Sequence, residues 1–109
     1  MPIKEITVEE LSVALAEGRV PRLIDVRSEG EHAIVHLSGA QLVPLPELPA
    51  RIDEIEASRG EPIVVYCHHG VRSKSGAAIL LAAGFENVTS LRGGIDAWSL
   101  RVDPKMPRY

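Results

Sequence analysis

The sequence predicts an α/β fold with a mainly parallel sheet flanked by helices. Short runs of β-branched and other apolar residues alternate with segments of helical periodicity, which is the order typical of parallel α/β sheets. The clearest example is Ile63 to Tyr66, an apolar run short enough to be a buried strand. It is followed by Ala77 to Ala83, a run of helix formers that ends at Gly84. A chain of 109 residues is long enough for one domain with a hydrophobic core.

The first part of the chain contains two capping boxes, Thr7 to Glu10 and Ser28 to Glu31, each of which predicts the start of a helix. Turn residues and short apolar runs separate these helices from candidate strands. In chain order, we predict an edge strand at Ile3 to Ile6, a helix from Thr7 to Gly18, a strand at Leu23 to Arg27, a short helix from Ser28 to Ile34, and a turn and short strand between Gly39 and Leu45.

The second part continues the alternation. Leu48 to Ala57 predicts an amphipathic helix with Leu48, Ile52 and Ile55 on its inner face. After the central strand and its helix, we predict a strand at Asn87 to Leu91, a turn at Gly93-Gly94 and a last helix in which Trp98 packs. We expect one domain over residues 1–109, with a core at about 3–100 and an extended tail at 101–109.

Composition and charge argue against several classes of partner. Apolar residues make up 45% of the chain, charged residues 25%, and the net charge is −3, so neither nucleic acid nor a membrane is expected as a partner. No apolar run approaches the length of a membrane span, and the N-terminus lacks the apolar core of a signal peptide. A single cysteine fits a reducing compartment, and we expect a cytoplasmic protein.

That cysteine, Cys67, stands where the central strand gives way to a helix. The free N–H groups and positive dipole at the start of a helix lower the pKa of a thiol and stabilise a bound anion. We therefore predict that Cys67 is a nucleophile. The loop residues His68, His69, Gly70, Val71, Arg72 and Ser73 are predicted to bind the substrate. Their backbone N–H groups would form an anion site, and Arg72 would hold an oxyanion.

Other polar residues near the predicted site have both structural and functional interpretations. Asp25 and Arg27 end a predicted strand at the edge where open α/β sheets place their sites, so we assign them a supporting role. We favour an ion pair that ties the loop to the sheet over direct participation. Glu31 and His36 carry the same ambiguity. We expect no metal site, because the adjacent residues Cys67, His68 and His69 cannot easily converge on one ion.

Four segments in order resemble the single-domain rhodanese family of sulfurtransferases: Leu23 to Arg27, Glu31 to Ala40, Val65 to Ser73, and Leu91 to Trp98. The chain departs from the family where Val35-His36 replaces the usual Gly-His. The resemblance implies a small rhodanese-like three-layer sandwich. It also implies a sulfurtransferase that takes sulfane sulfur from a small anionic donor such as thiosulfate. A persulfide on Cys67 would pass the sulfur to a thiol, cyanide or a sulfur-carrier protein, with no other cofactor.

Two other functions remain open at this stage. Cysteine-dependent phosphatases of the related loop type also place a cysteine and an arginine around backbone N–H groups at the start of a helix. Their loop, however, is one residue longer than the four residues between Cys67 and Arg72. A noncatalytic binding module of the same fold often lacks the cysteine. The end of the chain, from Ile95-Asp96-Ala97-Trp98 to Pro107-Arg108-Tyr109, resembles rhodanese domains fused to ubiquitin-activating-like adenylyltransferases, which serve sulfur-carrier pathways.

Overall fold

A computed structural model describes residues 2–109 and contains one five-stranded sheet in which all paired strands are parallel. The strand order is β1-β5-β4-β2-β3. The predicted mainly parallel sheet is therefore confirmed, with shorter strands at several positions. The strands are β1 (Glu5–Ile6), β2 (Arg22–Asp25), β3 (Gln41–Leu42), β4 (Ile63–Tyr66) and β5 (Val88–Leu91).

Four α-helices surround the sheet: α1 (Val8–Ala16), α2 (Glu29–Ile34), α3 (Arg72–Ala82) and α4 (Gly94–Arg101). Both predicted capping boxes form, with Thr7 capping α1 and Ser28 capping α2. In each box the hydroxyl accepts from a backbone N–H and a glutamate accepts from the capping residue, so two free donors are satisfied at each start. These local patterns explain why both helices begin where the sequence indicates.

The sheet lies between two hydrophobic clusters, because side chains along β4 point alternately to its two faces. Val65 packs with residues of α3, including Ala77 and Leu80. Val64 and Tyr66 pack on the other face with residues of α1 and α4, including Leu11 and Trp98. This arrangement is the predicted three-layer sandwich.

The predicted α-helix at Leu48 to Ala57 is wrong in both type and bounds. The segment is a 3-10 helix, Leu45–Glu54, with non-helical backbone at Arg51. Pro46 and Pro49 explain the difference, because proline lacks the N–H that an α-helix interior requires. The predicted inner face is correct nevertheless, since Leu48 and Ile55 are buried and Ile52 packs against the same core.

The fold brings two polar strand ends to one edge of the sheet. β4 lies between β5 and β2, and Asp25 of β2 is in register with Tyr66 of β4. The residues after both strands therefore meet at the carboxyl edge, where parallel sheets place ligands. Among residues 2–109, no helix combines the length and apolar composition needed to cross a membrane.

Candidate active site

Cys67 directly follows β4, and its sulfur lies in a cradle of hydrogen-bond donors. The backbone N–H groups of Gly70 and Ser73 donate to Sγ at 3.1 and 3.3 Å. Ser73 Oγ lies 3.5 Å from the sulfur and 2.7 Å from Ser90 Oγ, so a second hydroxyl holds Ser73 in place. Cys67 itself is only 1% exposed. Two of the loop N–H groups expected to face an anion thus donate to the sulfur.

The start of α4 forms hydrogen bonds with the loop from Cys67 to Arg72, which we call the Cys67 loop. The N–H groups of Ile95 and Asp96 donate to the carbonyl oxygens of Cys67 and His68, at 2.9 and 3.0 Å. This approach requires glycine at position 94, where an added Cβ would lie 2.4 Å from each of those oxygens. The sequence predicts only a turn at Gly93-Gly94, whereas the structure shows that Gly94 also allows close contact with the loop.

Gly70 permits the sharp turn within the loop. Its φ is +96°, a value that favours glycine, and an added Cβ would lie 3.0 Å from the backbone nitrogen of Gly93. The next residue, Val71, points away from the cradle and is 77% exposed. Of the predicted binding residues, Gly70 and Ser73 therefore face the sulfur, while Val71 forms part of the outer surface.

Arg72, the first residue of α3, is engaged by a carboxylate. Its Nη1 and Nη2 atoms donate to Oε1 and Oε2 of Glu31 at 2.7 and 2.9 Å. These hydrogen bonds outweigh the opposing effect of burial and hold the pKa of Glu31 well below its ordinary value. The sequence left the role of Glu31 open. The structure shows that it pairs with the arginine predicted to attract an anionic substrate and partly offsets its positive charge.

Asp25 and Arg27 form the ion pair that the sequence analysis favoured. The Nε and Nη2 atoms of Arg27 donate to Oδ1 and Oδ2 of Asp25 at 2.9 and 2.7 Å, and both side chains are fully buried. Burial raises the pKa of Asp25, but hydrogen bonds from Arg27 and His32 outweigh it and leave the pKa below its ordinary value. The pair anchors the carboxyl end of β2 and contacts the site only through other residues.

Tyr109 is the contact that the sequence analysis missed. Its hydroxyl accepts from Arg27 Nη1 at 2.8 Å and donates to Glu31 Oε2 at 2.9 Å, and its ring stacks on His68 with centroids 4.0 Å apart. The sequence predicts an extended tail at 101–109. Nothing in its local pattern indicates a return to the site, because the partners lie 78 and 82 residues away in sequence.

His68, His69 and Asp96 offer metal-ligating atoms that all lie within 4.8 Å of one another. Asp96 comes from α4, so this group was not visible in the sequence. Its members already have partners: the two imidazole rings stack at 3.9 Å, and Asp96 accepts from Arg108 at 3.1 Å. Burial, and then the neighbouring His69, lower the pKa of His68. The absence of a metal site remains a prediction.

Comparisons with known proteins agree with this geometry. The rhodanese-like domain matches residues 7–101. The probable adenylyltransferase/sulfurtransferase MoeZ of Mycobacterium tuberculosis is 39% identical over 104 residues, which are 95% of this chain and 26% of that protein. The chain thus spans about a quarter of that relative's length.

Two further proteins match over nearly their whole length. The thiosulfate sulfurtransferase GlpE of Haemophilus influenzae is 35% identical over 98 residues, which are 90% of each chain. The crystal structure of a rhodanese-like domain protein from Staphylococcus aureus superposes with a TM-score of 0.80 at 30% identity, covering 88% of this chain and 91% of that one. On the match over residues 7–101 and these full-length similarities, the chain belongs to the family of rhodanese-like domains.

Proposed function

We propose that this protein is a sulfurtransferase that carries sulfur as a persulfide on Cys67. The observation that carries the proposal is the donor cradle, in which the N–H groups of Gly70 and Ser73 lie 3.1 and 3.3 Å from Sγ. Such donors stabilise a thiolate before the reaction and a negatively charged outer sulfur after it. Relatives that match along the chain are named sulfurtransferases, and one of them is a thiosulfate sulfurtransferase.

The first step uses the Cys67 thiolate as the nucleophile. It attacks the outer sulfur of thiosulfate, a new S–S bond forms, and the S–S bond of the donor breaks. Sulfite leaves with the bonding electron pair, so the charge balances and no oxidant is needed. The persulfide then remains on Cys67, and the reaction has been divided into two easier steps.

In the second step an acceptor nucleophile attacks the outer sulfur of the persulfide. The bond between the two sulfurs breaks, and Cys67 departs as a thiolate ready for another cycle. Cyanide or a small thiol would serve as this nucleophile. A sulfur-carrier protein would instead be attacked by the outer sulfur at its terminal carboxyl group, activated as an acyl adenylate; AMP leaves, and a thiol then cleaves the acyl disulfide to release the thiocarboxylate and Cys67. The carrier is suggested by the similarity to a segment of an adenylyltransferase/sulfurtransferase.

Arg72 contributes to binding of the anionic sulfur donor while it remains paired with Glu31. The two terminal nitrogens each give one N–H to Glu31, and the guanidinium has five N–H groups, so others remain for an anion. The carboxylate partly cancels the positive charge. We therefore expect weak electrostatic attraction of thiosulfate, with the backbone donors making the main contribution at the sulfur.

The direct test is production of thiocyanate from thiosulfate and cyanide. We expect Cys67→Ser to abolish it, because the hydroxyl is a poor nucleophile for sulfur at neutral pH, while the similar size preserves the fold. Ser75→Ala is the matched control, since Ser75 is an exposed residue of α3. Full activity of Cys67→Ser would refute the proposal. Hydrolysis of an aryl phosphate in place of sulfur transfer would favour the phosphatase alternative.

A further inference from the structure

Tyr109 spans the two ends of the Cys67 loop. Its ring stacks on His68, the residue directly after the cysteine. Its hydroxyl donates to Glu31, which in turn holds Arg72 at the far end of the loop. The phenol therefore links the two ends of the loop that holds the sulfur, through one ring stack and one hydrogen-bonded carboxylate.

Contacts along the tail fix the path that leads to this position. The N–H groups of Val102 and Asp103 both donate to the carbonyl of Trp98 at 2.9 Å, and Met106 packs on the apolar cluster around α4. Arg108 then donates to Asp96 at 3.1 Å, on the α4 side of the loop. The tail is thus attached on the α4 side by Arg108 and on the α2 side by Tyr109.

The attachment at Tyr109 combines two charged partners. The hydroxyl accepts from the buried Arg27 and donates to Glu31, so both of its hydrogen bonds involve an ionised group. Yet Tyr109 is 40% exposed, whereas Cys67 is 1% exposed. A partner can therefore reach the ring. Displacing it would break the hydrogen bond from Arg27 Nη1 but would leave the two hydrogen bonds between the Arg27 and Asp25 side chains in place.

We propose that Tyr109 is a specificity-determining residue that limits access to Cys67 by molecular size. With the ring docked on His68 and Glu31, the opening admits small reagents such as thiosulfate or cyanide. A larger acceptor reaches the sulfur only after it displaces Tyr109. We call this size limit the Tyr109 gate. Its role in choosing a sulfur acceptor rests on the proposed sulfur transfer, but the limit on access to Cys67 does not depend on which group is transferred.

The test compares alkylation of Cys67 by a small reagent, iodoacetamide, and a bulky one, fluorescein maleimide. The ratio of the two rate constants reports access, since any change in thiol reactivity affects both. In Tyr109→Ala, we expect the ratio of bulky to small to rise about tenfold or more, the effect expected when a charge-assisted hydrogen bond is lost. An unchanged ratio would overturn the proposal.

Three further variants separate the ring from its attachments and from general loosening. Tyr109→Phe keeps the stack on His68 and should raise the ratio less than Tyr109→Ala. Arg108→Gln releases the other attachment while the phenol stays, and it should also raise the ratio. It provides the test if Tyr109→Ala does not fold. Arg101→Ala is the control on α4, because Arg101 pairs only with the exposed Glu9 among the residues described. A similar rise in this control would contradict a role specific to Tyr109.

The same variants distinguish failure of the gate from failure of the proposed function. Alkylation needs no sulfur donor, so a changed ratio without thiocyanate production would support the gate and refute sulfur transfer. If both hold, Tyr109→Ala should lower KM for a bulky thiol acceptor while KM for cyanide stays nearly constant. A purely structural role would instead lower activity with both acceptors in parallel.

Discussion

Asp25→Asn should destabilise the protein by leaving a buried charge without its counter-ion. The carboxylate accepts from Arg27 through Nε, Nη2 and the backbone N–H, at 2.7–3.0 Å, and from His32 at 2.8 Å. An amide of the same shape presents an NH2 group to one side of this arrangement, so donor would face donor. It also removes the negative charge that balances the fully buried guanidinium.

Removing one partner of such a pair costs about 3–5 kcal/mol, because the remaining charge stays desolvated. If the free energy of unfolding falls by about 2 kcal/mol per M of urea, the urea concentration at the unfolding midpoint should fall by roughly 2 M. The double variant Asp25→Leu with Arg27→Met removes both charges and should recover much of the loss. Comparing the double variant with the single variants Asp25→Leu and Arg27→Met would measure the coupling energy between the two side chains.

Acid titration provides a second check on the same pair. The pKa of Asp25 is lowered in the folded protein, so the folded state binds its proton less readily than the unfolded chain does. Its stabilising effect is therefore complete above the ordinary Asp pKa of about 3.9 and is lost as pH falls through the folded value. The difference in free energy of unfolding between wild type and Asp25→Asn should stay constant from pH 7 to about 5 and should become smaller only in stronger acid. If Asp25→Asn lowers the urea unfolding midpoint at neutral pH by less than about 0.5 M, this account of the ion pair is refuted.

The remaining predictions concern the loop. Glu31→Gln should lower KM for thiosulfate, because it removes a negative charge and frees the guanidinium of Arg72. Arg72→Ala should raise KM for thiosulfate. Steady-state kinetics at two salt concentrations would check the direction of the KM change in each variant. Gly94→Ala should reduce urea stability and sulfur transfer together, since its Cβ would lie 2.4 Å from two loop carbonyl oxygens. Gly39→Ala is the control, with a similarly positive φ of +79° but no atom within 4 Å, and it should cost only about 1–2 kcal/mol with activity retained.

Local patterns in the sequence were enough to predict most of the fold. The two capping boxes, the apolar run Ile63 to Tyr66 and the run Ala77 to Ala83 each indicate an element that the structure contains. The same is true of the cysteine between strand and helix, whose environment follows from the free N–H groups at that junction. The prediction at Leu48 to Ala57 is wrong because apolar spacing does not distinguish an α-helix from a 3-10 helix, and Pro49 lacks the N–H that an α-helix interior requires.

The missing parts of the candidate site depend on contacts between distant residues. Glu31 and Arg72 are 41 residues apart, and Tyr109 donates to Glu31 from 78 residues further along the chain. The capping role of Glu31 was visible from Ser28, but its second role on Arg72 was not. A side chain can serve both because its two oxygens accept several hydrogen bonds. Only the folded arrangement shows that the predicted anion-binding arginine is already paired.

Intact mass after incubation with thiosulfate tests the central claim most directly. We predict a gain of one sulfur, about 32 Da, that maps to Cys67 and disappears when cyanide is added, as a covalent intermediate requires. Cys67→Ser should gain nothing under the same conditions. An unmodified wild-type protein that still forms thiocyanate, or an adduct that maps to another residue, would contradict the claim that Cys67 carries the sulfur.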